Sequence, residues 1–286
     1  MFRRVLFATV AVGLAGLPAA SASDAKPKEA QSAFTAKLHP DILGIATDSS
    51  ADAALAILEP AFKGRAGAKT DIQKQKFGGD AAPFVAALAF DVPATAKASG
   101  DALAAGFSAP PSGNRAFVVT RSLTFAQDQQ PAAAEMIKQA IDKYGTPTLV
   151  GDQRLYYIYR AGKIVSVGAK VDATSALDAI ARPLDPRAAI KLNAADGKGS
   201  CVAATKRLQA KDKTLAAMLE EAKAANCDGA LSVQLTPGIA PDRVGSAQFT
   251  LLDLKRIVSA AAIDDAARAA NTNAKNPAPP GSVPKL

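Results

Sequence analysis

One stretch of the chain, residues 131–167, carries an unbroken series of secondary-structure signals and constrains the fold more than any other. Pro131 suits the first turn of a helix, and apolar residues at three- and four-residue spacing follow it up to Tyr144. Gly145 can adopt the left-handed conformation that ends a helix, and Pro147 prevents the helix from continuing. The sequence therefore predicts an amphipathic helix that ends at or near Tyr144.

The residues after this helix have the pattern of a β-hairpin. Leu155–Tyr159 is too short for a helix and is dominated by strand-forming residues. Arg160–Lys163 is typical of a turn, and Ile164–Val167 of a second strand. The whole stretch is therefore predicted to be a helix, a turn and a hairpin.

The rest of the chain also mixes strands with helices, which predicts an α+β fold. Further strands are predicted at 41–47, 71–77, 84–92, 117–125, 231–235 and 243–252, and further helices at 49–63, 172–181, 202–225 and 253–270. We expect an antiparallel sheet with helices packed on one of its faces. Two helices end in glycine, at Gly64 and Gly145, and are followed by strands, so they could belong to a tandem repeat or resemble each other by chance.

The first 22 residues have the composition of a secretory signal peptide. Arg3 and Arg4 precede an apolar run, Val5–Leu17, that is too short to span a bilayer. Ala20–Ala22 fits a cleavage site, so we expect an exported protein in the periplasm or outside the cell, with no membrane span in the mature chain. Loss of two arginines and no acid lowers the formal charge of the chain from +8 to +6.

Composition shifts suggest how the chain is divided. The predicted segments are a signal peptide (1–22), a flexible leader (23–37), an α+β domain (38–181), a basic linker (182–200), a smaller C-terminal α+β lobe (201–270) and a disordered tail (271–286). One continuous domain remains the alternative to two lobes. Cys201 and Cys227 both belong to the smaller lobe, and in an oxidising compartment we expect them to form a disulfide rather than a metal site.

The sequence Lys143–Pro147 (KYGTP), with the helix before it and the aromatic strand after it, resembles a unit of exported bacterial proteins that combine helices with an antiparallel sheet. β-Lactamase inhibitor proteins and small lipoproteins of the outer-membrane assembly machinery use a comparable unit, and uncharacterised exported proteins share the arrangement. The resemblance covers Ile42–Val167. The tryptophan common in that strand is absent here, with Tyr157 or Tyr159 as its stand-in. The resemblance implies a binding or scaffolding role and transfers no catalytic residue.

Catalytic signals are weak in this chain. It contains a single histidine, His39, and it lacks a nucleophile elbow, a phosphate-binding loop, a zinc-protease motif and a dinucleotide fingerprint. We therefore expect no catalytic residue, no cofactor and no metal. The alternative is an envelope hydrolase with dispersed catalytic groups, in which His39 and Asp41 would carry the acid–base chemistry.

Three sets of residues are candidates for binding. Arg121 falls among apolar residues of a predicted strand, so it needs an acidic partner, an anionic ligand or a bulge that turns it outward. Tyr157 and Tyr159 share one face of their strand and form either an exposed interface or part of the core. Lys206, Arg207 and Lys211 lie early in a predicted helix, where the helix dipole disfavours cations unless an anion is bound.

These observations predict a non-catalytic envelope protein that binds another envelope protein or an anionic polymer or lipid. A binder of small anionic ligands that uses Arg121 is a further alternative. Nucleic acid is not expected as a partner, because no motif for reading it accompanies the basic residues.

Overall fold

A computed structural model describes residues 29–79, 81–151, 153–165, 201, 204, 214–240 and 242–275. Their central feature is an antiparallel sheet of nine strands, which confirms the α+β prediction. Its strands are β3 (Lys69–Lys76), β4 (Pro83–Val92), β5 (Gly100–Phe107), β6 (Ala116–Thr124), β7 (Leu149–Gly151), β8 (Arg154–Arg160), β9 (Lys163–Ile164), β10 (Gly229–Pro237) and β11 (Val244–Asp253). A small separate hairpin joins β1 (Asp41–Ile42) to β2 (Ile45–Ala46).

Helices pack on both faces of the sheet, whereas the sequence predicted them on one. Helices α1 (Ala51–Phe62) and α2 (Ala133–Tyr144) contribute to the hydrophobic core on the first face, which also holds Leu251 of β11. Helices α3 (Leu215–Ala224) and α4 (Leu254–Lys275) contribute to a second core together with Leu252. Because neighbouring residues of a strand point to opposite faces, these two cores lie on opposite sides of the sheet.

The strand order β3-β4-β5-β6-β11-β10-β8-β7 has a regular plan. Helix α1 precedes the run from β3 to β6, and helix α2 precedes the run β7, β8, β10 and β11, so two similar units meet at the antiparallel β6–β11 pair. This order agrees with the tandem-repeat alternative. It also places the C-terminal strands inside the main sheet, because β11 pairs with β6 and β10 with β8. Within the described residues, the C-terminal region therefore has no sheet of its own.

The helix ends follow from the local sequence. Helix α2 ends as predicted at Tyr144, with Gly145 at a φ of 84°. Helix α1 is capped by Ser50, whose side chain accepts a hydrogen bond from the backbone N–H of Ala53, one residue later than predicted. The helix predicted at 202–225 does not pass through Thr214, which has an extended backbone and caps α3.

A disulfide joins Cys201 to Cys227, as predicted, with the two Cα atoms 5.7 Å apart. It lies in the second core, where Cys201 is buried. None of the helices in the described ranges is long and apolar enough to cross a membrane.

A bulge in β6 decides which side chains reach the second face. The pairing with β5 shifts between Gly106 and Phe107, which leaves Phe117 as an extra residue of β6. Phe117 and Val118 therefore contribute to the second core, whereas Val119 contributes to the first. Strict alternation along the predicted strand 117–125 would place Phe117 on the same face as Val119, and the bulge is the reason that it lies on the other face.

Candidate ligand-binding site

The second face of the sheet carries a groove with a floor of small residues. Strand β5 alternates buried side chains with half-buried ones, and the half-buried ones are Ala102, Ala104 and Gly106. Ala87 and Ala89 of β4 continue this floor. We call the resulting space, which has a volume of about 440 Å³, the sheet groove. A volume of this size is typical of small-molecule sites.

Glycine is needed at one point of the floor. A Cβ atom added to Gly106 would lie 2.9 Å from Cγ1 of Val118 and 3.2 Å from the ring of Phe117. The bulge in β6 brings these two side chains to the second face, so the shape of the floor depends on the bulge and on Gly106 together.

The floor changes in polarity along the strands. Cross-strand pairing aligns its residues in three rows. The first row is Asp91, Ala102, Ser122 and Gln248, the second is Asp71, Ala89, Ala104 and Thr120, and the third is Gln73, Ala87, Gly106 and Val118. The number of polar side chains thus falls along the groove, from three in the first row to two in the second and one in the third.

Two helices form the walls of the sheet groove. Leu215, Met218 and Leu219 of α3 supply apolar surface, and α4 supplies Asp264 and Arg268. The guanidinium of Arg268 lies 5.2 Å from the centre of the Phe77 ring, which follows β3. It also donates a hydrogen bond of 2.6 Å to Asp265. Arg268 therefore connects α4 to the edge of the sheet at one side of the groove.

The ionisable residues that line the sheet groove are mostly acidic. Among the described residues they are Asp71, Asp91, Asp264 and Asp265, against Arg268 alone. This local balance of four acids to one base is opposite in sign to the formal charge of +8 of the whole chain. The sheet groove is therefore suited to neutral or cationic ligands and not to anions.

Asp264 is a buried carboxylate at the wall of the sheet groove. It is 2% exposed, and its Oδ2 accepts a hydrogen bond of 3.2 Å from the backbone N–H of Ala109. Its Oδ1 has no hydrogen-bond donor within the described ranges. Burial raises the pKa of Asp264 above its usual value, although hydrogen bonds from Ser112 and Ala109 and the charge of Arg268 oppose the rise.

Replacing Asp264 by asparagine is expected to change how stability depends on pH. The raised pKa means that the folded state holds the proton more tightly than the unfolded chain, so the wild type loses stability as the pH rises from about 4 through the folded-state pKa. Asparagine stays neutral, so the variant does not lose this contribution. Its free energy of unfolding should therefore increase relative to that of the wild type as the pH rises over this range. Urea unfolding from about pH 4 to about pH 7 measures the difference.

The matched control is Asp265→Asn, because Asp265 is the neighbouring acid on α4 and its side chain is 67% exposed. This variant should track the wild type at every pH, apart from the small loss of its surface pair with Arg268. Parallel wild-type and Asp264→Asn curves would contradict the buried, proton-holding state of Asp264.

Arg121, a candidate anion site from the sequence, has an acidic partner. Its Nε and Nη2 donate hydrogen bonds of 3.0 and 2.9 Å to the two oxygens of Asp101, and Arg65 donates a third of 2.9 Å. Burial alone would raise the pKa of Asp101, but these two guanidinium groups outweigh it and hold that pKa below its usual value. Arg121 is therefore committed to an internal ion pair, which leaves its guanidinium unsuited to anchor a ligand.

Tyr157 and Tyr159, the candidate interface residues, belong to the core of the first face. They are 0% and 1% exposed, and Phe34 packs edge-on against Tyr159 with ring centres 4.9 Å apart. Burial raises the pKa of both phenols. Of the two alternatives, the structure shows the core one. Tyr157 and Tyr159 do not form an exposed interface, because α2 and the segment around Phe34 cover their face of β8.

Lys206, Arg207 and Lys211 lie outside the described residues, as do the predicted signal peptide and the predicted linker at 182–200. Anion binding by these three side chains stays a prediction.

His39, the residue on which the hydrolase alternative depends, contacts Asp48. Its Nε2 lies 2.8 Å from Oδ1 of Asp48, and the two side chains are 40% and 44% exposed. Asp41 instead accepts a hydrogen bond of 2.8 Å from Lys143. The two groups that the hydrolase alternative named, His39 and Asp41, are thus engaged with different partners. Within the described ranges, no three His, Cys, Asp or Glu side chains are grouped closely enough to hold a metal ion.

Sequence reasoning missed the floor of the sheet groove, because it did not predict β5. A signal was present: residues 100–107 (GDALAAGF) alternate small side chains with Asp101, Leu103, Ala105 and Phe107. The period of two is one of side-chain size rather than of hydropathy, since most residues of both sets are apolar.

Comparison of the chain with protein-family models, with curated proteins and with solved structures gave no match. The resemblance to exported helix-and-sheet modules therefore stays a prediction, and any function has to be argued from the geometry.

Proposed function

We propose that this protein is an exported, non-catalytic binding protein whose sheet groove takes a small amphipathic ligand with a neutral or cationic head group. The observation that carries this proposal is the floor of half-buried small residues, in which the polar side chains decrease from three in the first row to one, Gln73, in the third. A floor of alanine and glycine lets a ligand approach the backbone of the sheet closely.

The orientation of the ligand follows from the rows of the floor. Its apolar part lies over Ala104 and Gly106, beside Leu219 of α3. Its head group lies towards Ser122 and Gln248, which can donate and accept hydrogen bonds. Burial of apolar ligand surface supplies the binding free energy, at about 25 cal/mol per Å², and the polar row selects the head group.

A second role, binding to an anionic envelope polymer or lipid, would depend on Lys206, Arg207 and Lys211 and stays a proposal. Binding to another envelope protein likewise stays a proposal. The acidic lining favours the amphipathic ligand as the occupant of the sheet groove.

Filling the floor tests the proposal. The neutral apolar dye 1-N-phenylnaphthylamine is expected to bind the mature protein saturably, with a rise in fluorescence. Ala104→Phe places an aromatic ring in the sheet groove and should weaken dye binding at least about tenfold, which corresponds to about 1.4 kcal/mol. Ala56→Phe is the matched control, because Ala56 is exposed on α1, on the other face of the sheet.

Competition with the dye then tests the head group. Dodecylamine and a dodecyl maltoside should displace the dye at lower concentrations than dodecanoate, whose carboxylate faces an acidic lining. Equal dye binding by the wild type and Ala104→Phe, with both proteins folded, would reject the sheet groove as the site. Preferential displacement by dodecanoate would reject the assigned charge.

A further inference from the structure

Strand β3 forms one edge of the nine-stranded sheet. It pairs with β4 on one side, and no other strand in the described ranges pairs with it. All eight of its residues are exposed. In a strand that is paired on one side only, alternate residues direct their backbone N–H and C=O groups away from the sheet. This row of outward-facing groups, which we call the β3 edge, can accept another extended chain.

The β3 edge is continuous along its whole length. The pairing of β3 with β4 shifts once, and the extra residue at the shift is Ala86 of β4, so the bulge lies in the inner strand. Bulges and very short strands are two of the devices that prevent an edge from pairing. Neither of them interrupts β3, so a partner of about eight residues can pair along the entire edge.

The two faces of β3 differ in charge. Ile72 lies opposite Leu88, a residue of the first core, whereas Gln73 lines the sheet groove on the second face. Because side chains alternate along a strand, this fixes the face of every residue. The first-face set is Thr70, Ile72, Lys74 and Lys76, and the second-face set is Lys69, Asp71, Gln73 and Gln75. The first face of β3 therefore carries two positive charges, and the second face has no net charge.

The first-face set has polar and apolar groups without partners. Ile72 is 39% exposed and is, with Ile239, one of two large hydrophobic residues exposed in the described part of the chain. Ion pairs in that part engage other lysines, such as Lys138 and Lys143, and none engages Lys74 or Lys76. An exposed apolar side chain thus lies beside two unpaired ammonium groups on one regular strand.

We propose that the β3 edge binds an extended acidic segment of a partner protein, which adds to the sheet as a further strand. Backbone hydrogen bonds to the β3 edge hold the segment, and its alternate side chains provide the specificity. The residues opposite Lys74 and Lys76 are acidic, and the residue opposite Ile72 is apolar. The segment therefore has acidic residues two positions apart and an apolar residue two positions from the nearer acid.

Charge selects such a segment over a second copy of this chain. β3 contains three lysines and one aspartate, so two paired copies would bring six lysines and two aspartates into one ladder. Lysine on an edge strand prevents pairing between like strands, because the ammonium groups repel one another and are costly to desolvate. It does not prevent pairing with a strand whose acids lie opposite the lysines, which is electrostatically complementary.

Peptides of defined pattern test the β3 edge. The octapeptide ETETVTTT places its two acids and its valine opposite Lys76, Lys74 and Ile72 in antiparallel pairing, and the reversed sequence TTTVTETE does so in parallel pairing. Fluorescence anisotropy of the labelled peptides is measured with the mature protein at low salt. We expect saturable binding of one of the two with a Kd below about 1 mM, and binding at least about tenfold weaker when lysine replaces both acids.

A charge-reversed variant assigns the binding to the first face of β3. Lys74→Glu/Lys76→Glu should weaken binding of the acidic peptide at least about tenfold. Lys37→Glu/Lys255→Glu is the matched control, because it changes the net charge equally at two exposed lysines outside the sheet. The control should bind within about twofold of the wild type. Equal weakening in both variants would reduce the effect to the net charge of the protein and reject the β3 edge.

Methylation of the peptide backbone distinguishes strand addition from attraction between charges alone. Two versions of the binding peptide carry N-methyl groups on alternate residues, one on the odd and one on the even positions. Only one of these sets faces β3 in an added strand, so one version should lose binding and the other should keep it. Equal binding by the two versions would reject strand addition.

Absence of saturable binding by both octapeptides would overturn the proposal and leave the lysines of β3 the role of preventing self-association. Dye binding in the sheet groove should be unchanged in Lys74→Glu/Lys76→Glu, because these side chains lie on the other face of the sheet. The β3 edge and the sheet groove therefore succeed or fail separately.

Discussion

Replacing Asp101 by alanine is expected to lower the free energy of unfolding by about 3 kcal/mol. Asp101 is 5% exposed and is the common acceptor for Arg121 and Arg65. Its loss leaves two guanidinium groups on the first face without a counter-charge. The side chains of Arg121 and Arg65 are 24% and 35% exposed, so water can solvate the two charges in part. We therefore expect a loss at the lower end of the range for buried ion pairs.

Urea unfolding at about pH 7 measures this loss, and the double variant Asp101→Ala/Arg121→Leu is its control. Removing Asp101 and Arg121 together leaves only Arg65, the more exposed of the two arginines, without its partner, so the double variant should recover much of the stability. The lowered pKa of Asp101 means that its stabilising effect is complete above the unfolded-state pKa and is lost as the pH falls through the folded-state pKa. The gap between the wild type and Asp101→Ala should therefore narrow in acid. A single variant within about 0.5 kcal/mol of the wild type would contradict the ion-pair network.

Removing the disulfide with Cys201→Ser/Cys227→Ser is expected to cost up to about 3.5 kcal/mol. The two cysteines are 26 residues apart in the sequence, and closing a loop of this length restricts the unfolded chain. Cys201 is also buried in the second core, where serine would place a hydroxyl among Met218, Leu252 and Ile257. The loss of stability should therefore affect mainly the region in which α3 and α4 pack on the sheet.

Guanidinium chloride unfolding measures the effect of the disulfide, with and without reductant. Reduced wild type should lose most of the stability that the double variant loses, because both lack the cross-link. Reductant should leave the double variant unchanged. A reduced wild type as stable as the oxidised protein would show that packing, and not the cross-link, holds this region together.

The strongest local signals in the sequence predicted the structure well. Helix α2 and its end at Tyr144, strand β8 and the disulfide are formed as expected, because each depends on nearby residues or on the chemistry of a single pair. Strand β5 was not predicted, because alanine and glycine are poor strand formers and their alternation in size carries no hydropathy signal. The floor of the sheet groove was missed with it.

The roles of single polar residues were harder to predict. The sequence showed that Arg121 needed an acceptor but could not choose Asp101, which lies 20 positions earlier and reaches it only through the β5–β6 pairing. Arg256 gave no signal at all. It looks like an ordinary charge at the start of a helix, and its burial comes from the segment around Ser32 and Ala33, more than 220 positions away.

The sequence by itself determined the fold class, the ends of the clearest helix and the pairing of the two cysteines. The first two depend on conformational preferences over a few residues, and the third was expected because two cysteines in an oxidising compartment form a disulfide. Only the tertiary structure decided the order of the strands, the placing of helices on both faces and which side chains line the sheet groove. Strand pairing brings together residues that are far apart in the chain, and whether a side chain is paired, buried or open to a ligand is a property of that assembled surface.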